Sequence, residues 1–288
     1  MIDFHCHLLP GLDDGAATLD ESLEMARALA AFGFREVCCT PHCIKGHYEF
    51  SPVEVRAAVR ALQTALDGEM IPLRLHAGME YCLDEFFESY AANLLPLGSS
   101  RLVLCESPSQ AHPGLVSHMA GLVAIQGFIP LIAHPERSAP VRDLLEMERA
   151  TVATPAAETA EAAPPADAGP WWRRVLPGSA ARAVAGAASG RRVSPLAPPV
   201  PELPEQTLFQ ANLGSFTGYY GAPVQRCAYE LLQRGVYSCF GSDLHDPQAA
   251  AQYLGSAREK LDHNPVLGRL GGFRPPAGEG GAQQLAFW

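Results

Sequence analysis

Residues Ile2–His7 read IDFHCH, a short apolar run that ends in two histidines separated by one residue. Runs of this length, rich in β-branched or aromatic residues, are typical of buried strands. The chain contains six further runs of this kind: Glu36–Thr40, Leu73–Gly78, Leu102–Cys105, Ile129–Ala133, Leu208–Leu213 and Val236–Gly241. We therefore predict seven strands.

Helical patterns lie between most of these runs. Thr18 and Glu21 form a capping-box pattern before a periodic apolar face, and the pair Ser51-Pro52 is a typical helix start. Besides these two helices, the second spanning Ser51–Leu66, the sequence predicts helices over Leu83–Asn93, Leu115–Gln126, Val141–Arg149, Pro223–Arg234 and Gln248–Leu261. Strands that alternate with helices favour an α/β fold with a parallel sheet, either closed as a barrel or open and doubly wound.

A segment at about 151–205 has a different composition, rich in proline and alanine. Such a segment buries too little apolar surface to offset the entropy of ordering. We predict one domain over 1–270, interrupted by this disordered insertion, and a flexible tail over 271–288. The insertion is either a tolerated surface loop or, through Trp171–Leu176, a docking site for a partner or membrane surface.

Charge and hydropathy exclude several function classes. The formal net charge is −10, so binding to nucleic acid is not expected, because it requires basic surface. The longest apolar stretch, Gly121–Ala133, contains Gln126 and Pro130 and is too short for a membrane span. The opening MIDFHCH is unlike an export signal. These features favour a cytoplasmic protein whose eight cysteines stay unpaired.

Metal-binding residue types occur at the ends of six of the seven predicted strands. His5 and His7 point to the same face of a strand, since side chains alternate with a period of two. The other candidates in the strand-end loops are Asp14, His42, Glu80, Glu106, His134, Asp243 and His245. Functional groups gather at the carboxyl ends of parallel strands, and buried carboxylates need compensating charge. A site for divalent metal ions follows from this pattern.

The charge count of the candidate site indicates an anionic substrate. Three divalent ions would outweigh the four carboxylates among the candidates. A hydroxide and a phosphate-ester dianion, together with the charge of Arg137, would bring the sum to zero. Phosphatases that use a nucleophilic cysteine are excluded, because no cysteine of this chain is followed by arginine at the sixth position.

The ordered motifs HCHLLPGLDDG, TPHC, GMEY, ESP, IAHPER and GSDLH resemble the PHP (polymerase and histidinol phosphatase) superfamily. The segments LPGLDDG and FQANLGSFTG, the latter at Phe209–Gly218, are most similar to its bacterial tyrosine phosphatases, which capsule and exopolysaccharide operons encode. The resemblance covers Met1–Arg149 and Thr207–Pro265. It implies a distorted seven-stranded (β/α) barrel that holds up to three divalent ions, with manganese expected.

The resemblance also implies which residues bind each ion. One ion would take His5, His7, Glu80 and Asp243, and a second would share Glu80 and add Glu106 and His134. The third would take Asp14, His42 and His245. As a chemical hypothesis beyond the resemblance, Arg137 would hold the phosphoryl oxygens, and His42, His245 or a metal-bound water would protonate the leaving group.

Three functions remain open at this point. The first is hydrolysis of phosphotyrosine on a protein, with a membrane-associated tyrosine kinase of capsule or exopolysaccharide synthesis as the expected substrate. The second is hydrolysis of a small phosphomonoester such as histidinol phosphate. The third is a non-catalytic protein that binds a partner through the insertion. The resemblance also makes a homo-oligomer possible.

Overall fold

The structure is a computed structural model that describes residues 1–149 and 201–278 in full and the backbone of 150–153. Contacts divide the chain into two units, Met1–Glu146 together with Pro201–Trp288, and Met147–Val200. The predicted insertion at about 151–205 lies almost entirely outside the described residues, as does the predicted tail from residue 279 onward. Arg101 N donates to the carbonyl of Pro276 (3.2 Å), which ties the described start of that tail to the first unit.

Within the described residues, nine parallel strands form two sheets, which confirms an α/β fold with parallel pairing. The first sheet has the order β1-β2-β4, with strands Ile2–Cys6 (β1), Glu36–Cys39 (β2) and Arg74–Ala77 (β4). The second has the order β3-β5-β6-β7-β8-β9, with strands His42–Cys43 (β3), Glu80–Cys82 (β5), Leu102–Glu106 (β6), Ile129–Ala133 (β7), Leu208–Asn212 (β8) and Cys239–Gly241 (β9).

The predicted seven-stranded barrel does not occur as one closed sheet in the described part of the chain. The second predicted strand continues past Pro41 as β3, and the third continues past Gly78 as β5. Proline has no N–H to donate to a ladder, so the pairing breaks at Pro41. Glu80 N donates to Pro41 O (3.0 Å), which starts the second sheet immediately beyond the break.

The two sheets meet at β1 and β9, where a buried carboxylate interrupts the ladder. Asp3 Oδ1 accepts from the backbone N–H of Ser242 (2.7 Å) and of His5 (3.3 Å), in the place of a strand carbonyl. Asp243 N then donates to His5 O (2.7 Å), and His7 N donates to Leu244 O (3.0 Å). The strands therefore lie side by side without a regular ladder, and the sequence around Asp3 explains why closure is incomplete.

The helices begin largely where their caps predict. The Thr18 side chain accepts from Glu21 N, and Ser51 with Glu54 forms a complete capping box. The α-helices are Leu19–Phe32 (α1), Pro52–Gly68 (α2), Pro113–Ile125 (α3), Ala139–Ala153 (α4), Leu213–Thr217 (α5), Ala222–Gln233 (α6), Pro247–Ala249 (α7), Gly255–His263 (α8) and Pro265–Leu270 (α9). A π-helical turn, Ala250–Leu254, joins α7 to α8. None of the described helices is long and apolar enough to cross a membrane.

The predicted helix over Leu83–Asn93 is wrong. The segment forms two short 3₁₀ turns, Phe87–Ser89 and Ala91–Asn93. Asp84 Oδ1 accepts from Phe86 N (2.9 Å), and Ser89 Oγ donates to Phe86 O (2.8 Å). Such local side-chain bonds compete with the α-helical pattern, which explains the difference.

Gly241 allows β1 and β9 to approach closely. A Cβ at this position would lie 2.5 Å from His5 Cβ and 3.0 Å from His5 N. We expect Gly241→Ala to lower the free energy of unfolding by about 1–3 kcal/mol, because overpacking displaces the strand. The control is Gly255→Ala, where the added Cβ would have no neighbouring atom within 4 Å and the backbone is helical. The free energy of unfolding of this variant should rise by about 0.5–1 kcal/mol. Urea unfolding checks both; an unchanged Gly241→Ala midpoint would contradict the prediction.

Candidate metal centre

The carboxyl ends of the parallel strands collect the predicted metal-binding side chains at one edge of the fold. His5 lies in β1, Glu106 ends β6, and His134 follows β7 directly. The breaks after β2 and β4 extend the chain to place His42 and Glu80 at the same edge. This is the edge where α/β proteins place their sites.

All nine predicted ligands belong to clusters whose donor atoms lie within 4.8 Å of one another. There are four such clusters among the described residues: His7–Asp14–His42–His245, His5–His134–Asp243, His5–His7–Glu80 and His42–Glu80–Glu106. Most of these side chains are buried, whereas the Asp14 side chain is 54% exposed. Nine residues that are far apart in sequence thus converge on one small volume.

The clusters differ in two places from the ligand sets that the resemblance implies. Glu106 lies with His42, whose Nδ1 is 3.2 Å from Glu106 Oε1. His134 lies with His5 and Asp243, although its Nε2 also reaches Glu80 Oε1 (3.2 Å). Glu80 contacts both sets and therefore lies at the centre of the site.

The hydrogen-bond partners of His5 and His7 indicate that, in the neutral rings, the two Nε2 lone pairs face each other. His7 Nδ1 is 2.7 Å from Asp13 Oδ2, and His5 Nδ1 is 3.0 Å from Gln210 Oε1. Since each Nδ1 faces an acceptor, it carries the proton in a neutral ring and leaves Nε2 bare. The two Nε2 atoms are only 3.0 Å apart.

Two carboxylates point at the same pair of nitrogens. Glu80 Oε2 lies 3.0 Å from His5 Nε2, and Asp243 Oδ1 lies 3.2 Å from it. The corresponding distances to His7 Nε2 are both 3.4 Å. With both rings neutral, four electron-rich atoms this close repel one another, so the site needs either protons on the rings or a metal cation among them. The donor set, with imidazole nitrogens and carboxylate oxygens, suits a divalent transition metal.

A buried ring nitrogen without a hydrogen-bond partner supports the same conclusion. His42 Nδ1 lies within 3.1 Å of Glu80 Oε2, yet it makes no hydrogen bond of acceptable geometry. Buried polar atoms are nearly always paired in native proteins. A metal ligand needs its lone pair directed at the ion rather than at a neighbouring oxygen, so His42 fits this role.

The pKa values of the site residues indicate a strongly negative potential. Burial lowers the pKa of His5 and His7, but the surrounding carboxylates outweigh it, so both are raised. Burial likewise lowers the pKa of His42, but Glu80 and Glu106 outweigh this effect and raise it to about 10. Burial alone would raise the pKa of Glu80 and Asp243, yet the neighbouring histidines hold both well below their usual range. A potential that attracts protons this strongly also attracts metal cations.

Two of the site residues have left-handed backbone conformations that side chains other than glycine rarely adopt. The φ angles are +33° at His134 and +54° at Asp243. A backbone hydrogen bond holds each conformation. His134 N donates to Gln210 O (2.9 Å), and Asp243 N donates to His5 O (2.7 Å). Such strain costs about 1–3 kcal/mol and is retained mainly at functional sites.

Arg137 is the cation next to the cluster. Its Nη1 lies 2.5 Å from Asp243 Oδ2, and its guanidinium carbon lies 4.2 Å from the centre of the Tyr220 ring. Burial lowers the pKa of Arg137, but Asp243 and its other negative neighbours raise it overall. The side chain is 34% exposed, so the guanidinium can meet an anion from solvent.

His245 lies against the face of the His7 ring. Its ring stacks on that of His7 with centres 3.9 Å apart, and its Nε2 is 3.6 Å from Asp14 Oδ1. Burial and the charge of His7 lower the pKa of His245. Its ring therefore remains neutral more readily than those of His5, His7 and His42.

A model of the family described as capsular polysaccharide synthesis, CpsB/CapC, matches residues 1–154, more than half of the chain. The chain belongs to this family. The tyrosine-protein phosphatase YwqE of Bacillus subtilis is 39% identical over 145 residues, which cover 50% of this chain and 57% of YwqE. The putative tyrosine-protein phosphatase CapC of Staphylococcus aureus is 26% identical over 149 residues, 51% of this chain and 58% of CapC.

These matches span just over half the length of each curated relative. A solved structure covers more of the chain. It comes from a study of YwqE of Bacillus subtilis and CpsB of Streptococcus pneumoniae, described as metal-dependent tyrosine phosphatases. It matches with a TM-score of 0.62 and 24% identity over 97% of this chain and 100% of the solved chain. The likeness shows that this CpsB/CapC chain shares the fold of that structure.

Three residues that support the site in this CpsB/CapC chain were not among the predicted ligands. They are Asp13, which faces His7, and the β8 residues Gln210, which faces His5, and Asn212, whose Nδ2 donates to Asp243 Oδ2 (2.6 Å). The predicted sixth strand ends in no His, Asp or Glu and therefore contributed no candidate ligand. Gln210 and Asn212, two polar residues with one residue between them in an otherwise apolar strand, could have indicated that this strand faces the site.

We expect Asp13→Ala to weaken metal binding about 10- to 100-fold, as loss of a carboxylate that orients a histidine ligand generally does. Asp13 also accepts from His42 N (3.0 Å), so its removal loosens two of the predicted ligands. Titration calorimetry with manganese measures the affinity. Asp20→Ala, at an exposed position of α1, is the matched control and should bind manganese as the wild type does. Equal affinity in the two variants would contradict the prediction.

Proposed function

We propose that the protein is a metal-dependent phosphoric monoester hydrolase that removes phosphate from phosphotyrosine on proteins. The observation that carries the proposal is the convergence of bare imidazole nitrogens and carboxylates around His5 and His7, with Arg137 at their edge. The cluster of imidazoles and carboxylates accounts for metal dependence, and Arg137 accounts for an anionic substrate.

The predicted ligands would hold up to three divalent ions, and we expect manganese. His5, His7 and Glu80 would hold one ion, with Asp243 and His134 beside His5; His42, Glu80 and Glu106 would hold a second, and His7, Asp14, His42 and His245 a third. When bound, such ions supply Lewis acidity and an activated water at neutral pH. The chain's own contribution is to fix the donors, for which Asp13 and Gln210 hold the two central rings.

Arg137 binds and orients the phosphoryl group in this proposal. Its planar fork of donors matches two phosphate oxygens. Asp243 fixes one end of the guanidinium and the Tyr220 ring supports its face, so its direction is set before substrate arrives. Preorganised charge of this kind stabilises the transition state, because no reorientation is needed during the reaction.

Proton transfer to the leaving oxygen falls to His42 or His245. Both rings lie at the exposed side of the cluster, with 13% and 27% of their side chains accessible. A tyrosine leaving group has a pKa near 10 and needs less assistance from an acid than an alkyl alcohol does. A modest proton donor therefore suffices for this substrate.

The names of the relatives support the choice of substrate. YwqE and CpsB are called tyrosine-protein phosphatases, and the matching family is described by capsular polysaccharide synthesis. We accordingly propose a cytoplasmic enzyme whose substrate is a membrane-associated tyrosine kinase of capsule or exopolysaccharide synthesis. A homo-oligomer is compatible with the proposal. The presence of all nine predicted ligands in the clusters argues against a non-catalytic binding protein.

The test is release of phosphate from a tyrosine-phosphorylated peptide, with and without manganese, by the wild type and by His5→Ala. Turnover that requires manganese and is lost in His5→Ala is the expected result. Turnover of histidinol phosphate but not of the peptide would replace the proposal by the small-phosphomonoester function. Activity on neither, in protein shown to bind manganese, would leave the binding-protein function.

A further inference from the structure

A small cavity opens beside the metal centre and shares three of its residues. It has a volume of about 200 Å³ and is lined on one side by Arg137, Asp243 and His245. The other lining residues are Tyr219, Tyr220, Ala249 and Tyr253, which are aromatic or apolar, and Asp246. A phosphoryl group held by Arg137 would therefore direct its ester substituent into this cavity.

The chain places the two neighbouring tyrosines of the cavity through a turn between two glycines. Gly218, with φ +87°, ends α5 in a left-handed conformation, and Gly221, with φ +91°, precedes α6. Only glycine adopts such angles without strain, so the turn is fixed by these residues. Tyr219 and Tyr220 project from it.

Tyr220 is the inner, fixed member of this pair. Its ring supports Arg137, and its hydroxyl accepts from Asn212 Nδ2 (3.3 Å) and lies 3.4 Å from Asp243 Oδ2. The hydroxyl therefore faces polar groups of the centre, and the ring forms a wall.

Tyr219 is the outer member and has an accessible ring. It lies perpendicular to Tyr220, with ring centres 4.9 Å apart, and it packs on buried Tyr253 at 5.0 Å. Even so, 42% of Tyr219 is exposed. An aromatic ring that is held in place yet open to solvent at a cavity mouth can pack against another ring.

The size and lining of the cavity match one aromatic ring. A dry cavity of roughly 150 Å³ accommodates benzene. Ala249 contributes a small side chain to the wall, which leaves this space open. An aromatic ring would exclude water from the cavity and gain edge-to-face contact with Tyr219, whereas a short alkyl chain would leave part of it unfilled.

We propose that this cavity is the binding site for the aromatic ring of an aryl phosphate, with Tyr219 as the residue that recognises the ring. The proposal rests on the phosphatase function above and assigns it a determinant of specificity: Arg137 and the metal centre bind the phosphoryl group, and the Tyr219 cavity selects what is attached to it.

Phenyl phosphate and inorganic phosphate separate the two parts of the site. Phenyl phosphate needs the metal centre with Arg137 and also the Tyr219 cavity. Inorganic phosphate, used as a competitive inhibitor, needs only the metal centre with Arg137. In Tyr219→Ala we expect the KM of phenyl phosphate to rise about three- to tenfold, while the inhibition constant of phosphate stays within twofold of wild type. Tyr219→Phe keeps the ring and should restore the KM. The unchanged phosphate inhibition also shows that the variant is folded.

The outcomes are distinguishable. An unchanged KM in Tyr219→Ala would overturn the ring site and leave the phosphatase proposal intact. Tyr48 stacks over His42 and offers a second aromatic ring near the centre. If Tyr48→Ala raises the KM of phenyl phosphate and Tyr219→Ala does not, the ring site at Tyr219 is overturned. Absence of any manganese-dependent turnover by the wild type would instead overturn the phosphatase function itself.

Discussion

Glu80→Gln is expected to lose metal binding at the centre and, with it, on the order of 10³-fold in kcat/KM. Glu80 has the most histidine neighbours of the site: Oε2 lies within 3.4 Å of His5, His7 and His42, and Oε1 lies 3.2 Å from His134. Breaking a buried charge interaction costs about 3–5 kcal/mol. At about 1.4 kcal/mol per tenfold change, this corresponds to about two to three and a half orders of magnitude.

The substitution keeps the shape of the side chain but removes its negative charge, so it tests charge rather than packing. Metal content after dialysis against manganese and kcat/KM with a phosphotyrosine peptide should fall together. Glu36→Gln is the matched control, since Glu36 also faces a histidine, His76, at 2.9 Å, but from the start of β2 at the opposite end of the sheet. Full metal content in Glu80→Gln would show that the ions do not depend on Glu80.

The parts of this site that the sequence predicted are those that depend on local geometry. The period of two in a strand placed His5 and His7 on one face, and the rule that parallel strands end at one edge collected the other candidates. Both inferences need only the neighbouring residues. The same holds for the start of α1 at Thr18, since a cap is a contact between residues three apart.

The parts that were not predicted depend on contacts between distant residues. Gln210 is 205 residues from His5, and no local pattern indicates that their side chains meet. The interrupted closure of the sheet also depends on a distant pair, Asp3 with Ser242. The grouping of Glu106 with His42 rather than with His134 depends on a side-chain contact of 3.2 Å between β6 and β3, two strands that are not adjacent in the sheet. The error over Leu83–Asn93 has a different cause, because side-chain bonds within the segment itself outweigh a weak helical pattern.

Arg137→Ala has the second large expected effect, a loss of about 10²- to 10³-fold in kcat/KM with metal content close to wild type. The two quantities separate because Asp243 does not depend on Arg137 alone. Asn212 Nδ2 donates to the same oxygen, Oδ2, at 2.6 Å, and the backbone of Asp243 is held by His5. Asp243 therefore keeps its position and its charge when the guanidinium is removed.

Arg137→Lys sharpens the test, because lysine keeps the positive charge but lacks the fork that binds two oxygens at once. We expect it to recover only part of the loss, with inhibition by inorganic phosphate weakened in both variants. Arg258→Ala is the control, since Arg258 pairs with Asp262 one helical turn away on the surface of α8. Wild-type turnover in Arg137→Ala would remove Arg137 from the mechanism. If Arg137→Ala loses manganese as well as turnover, Arg137 acts instead by holding Asp243. The positive charge of Arg137 would then serve the metal ligand Asp243 rather than the substrate.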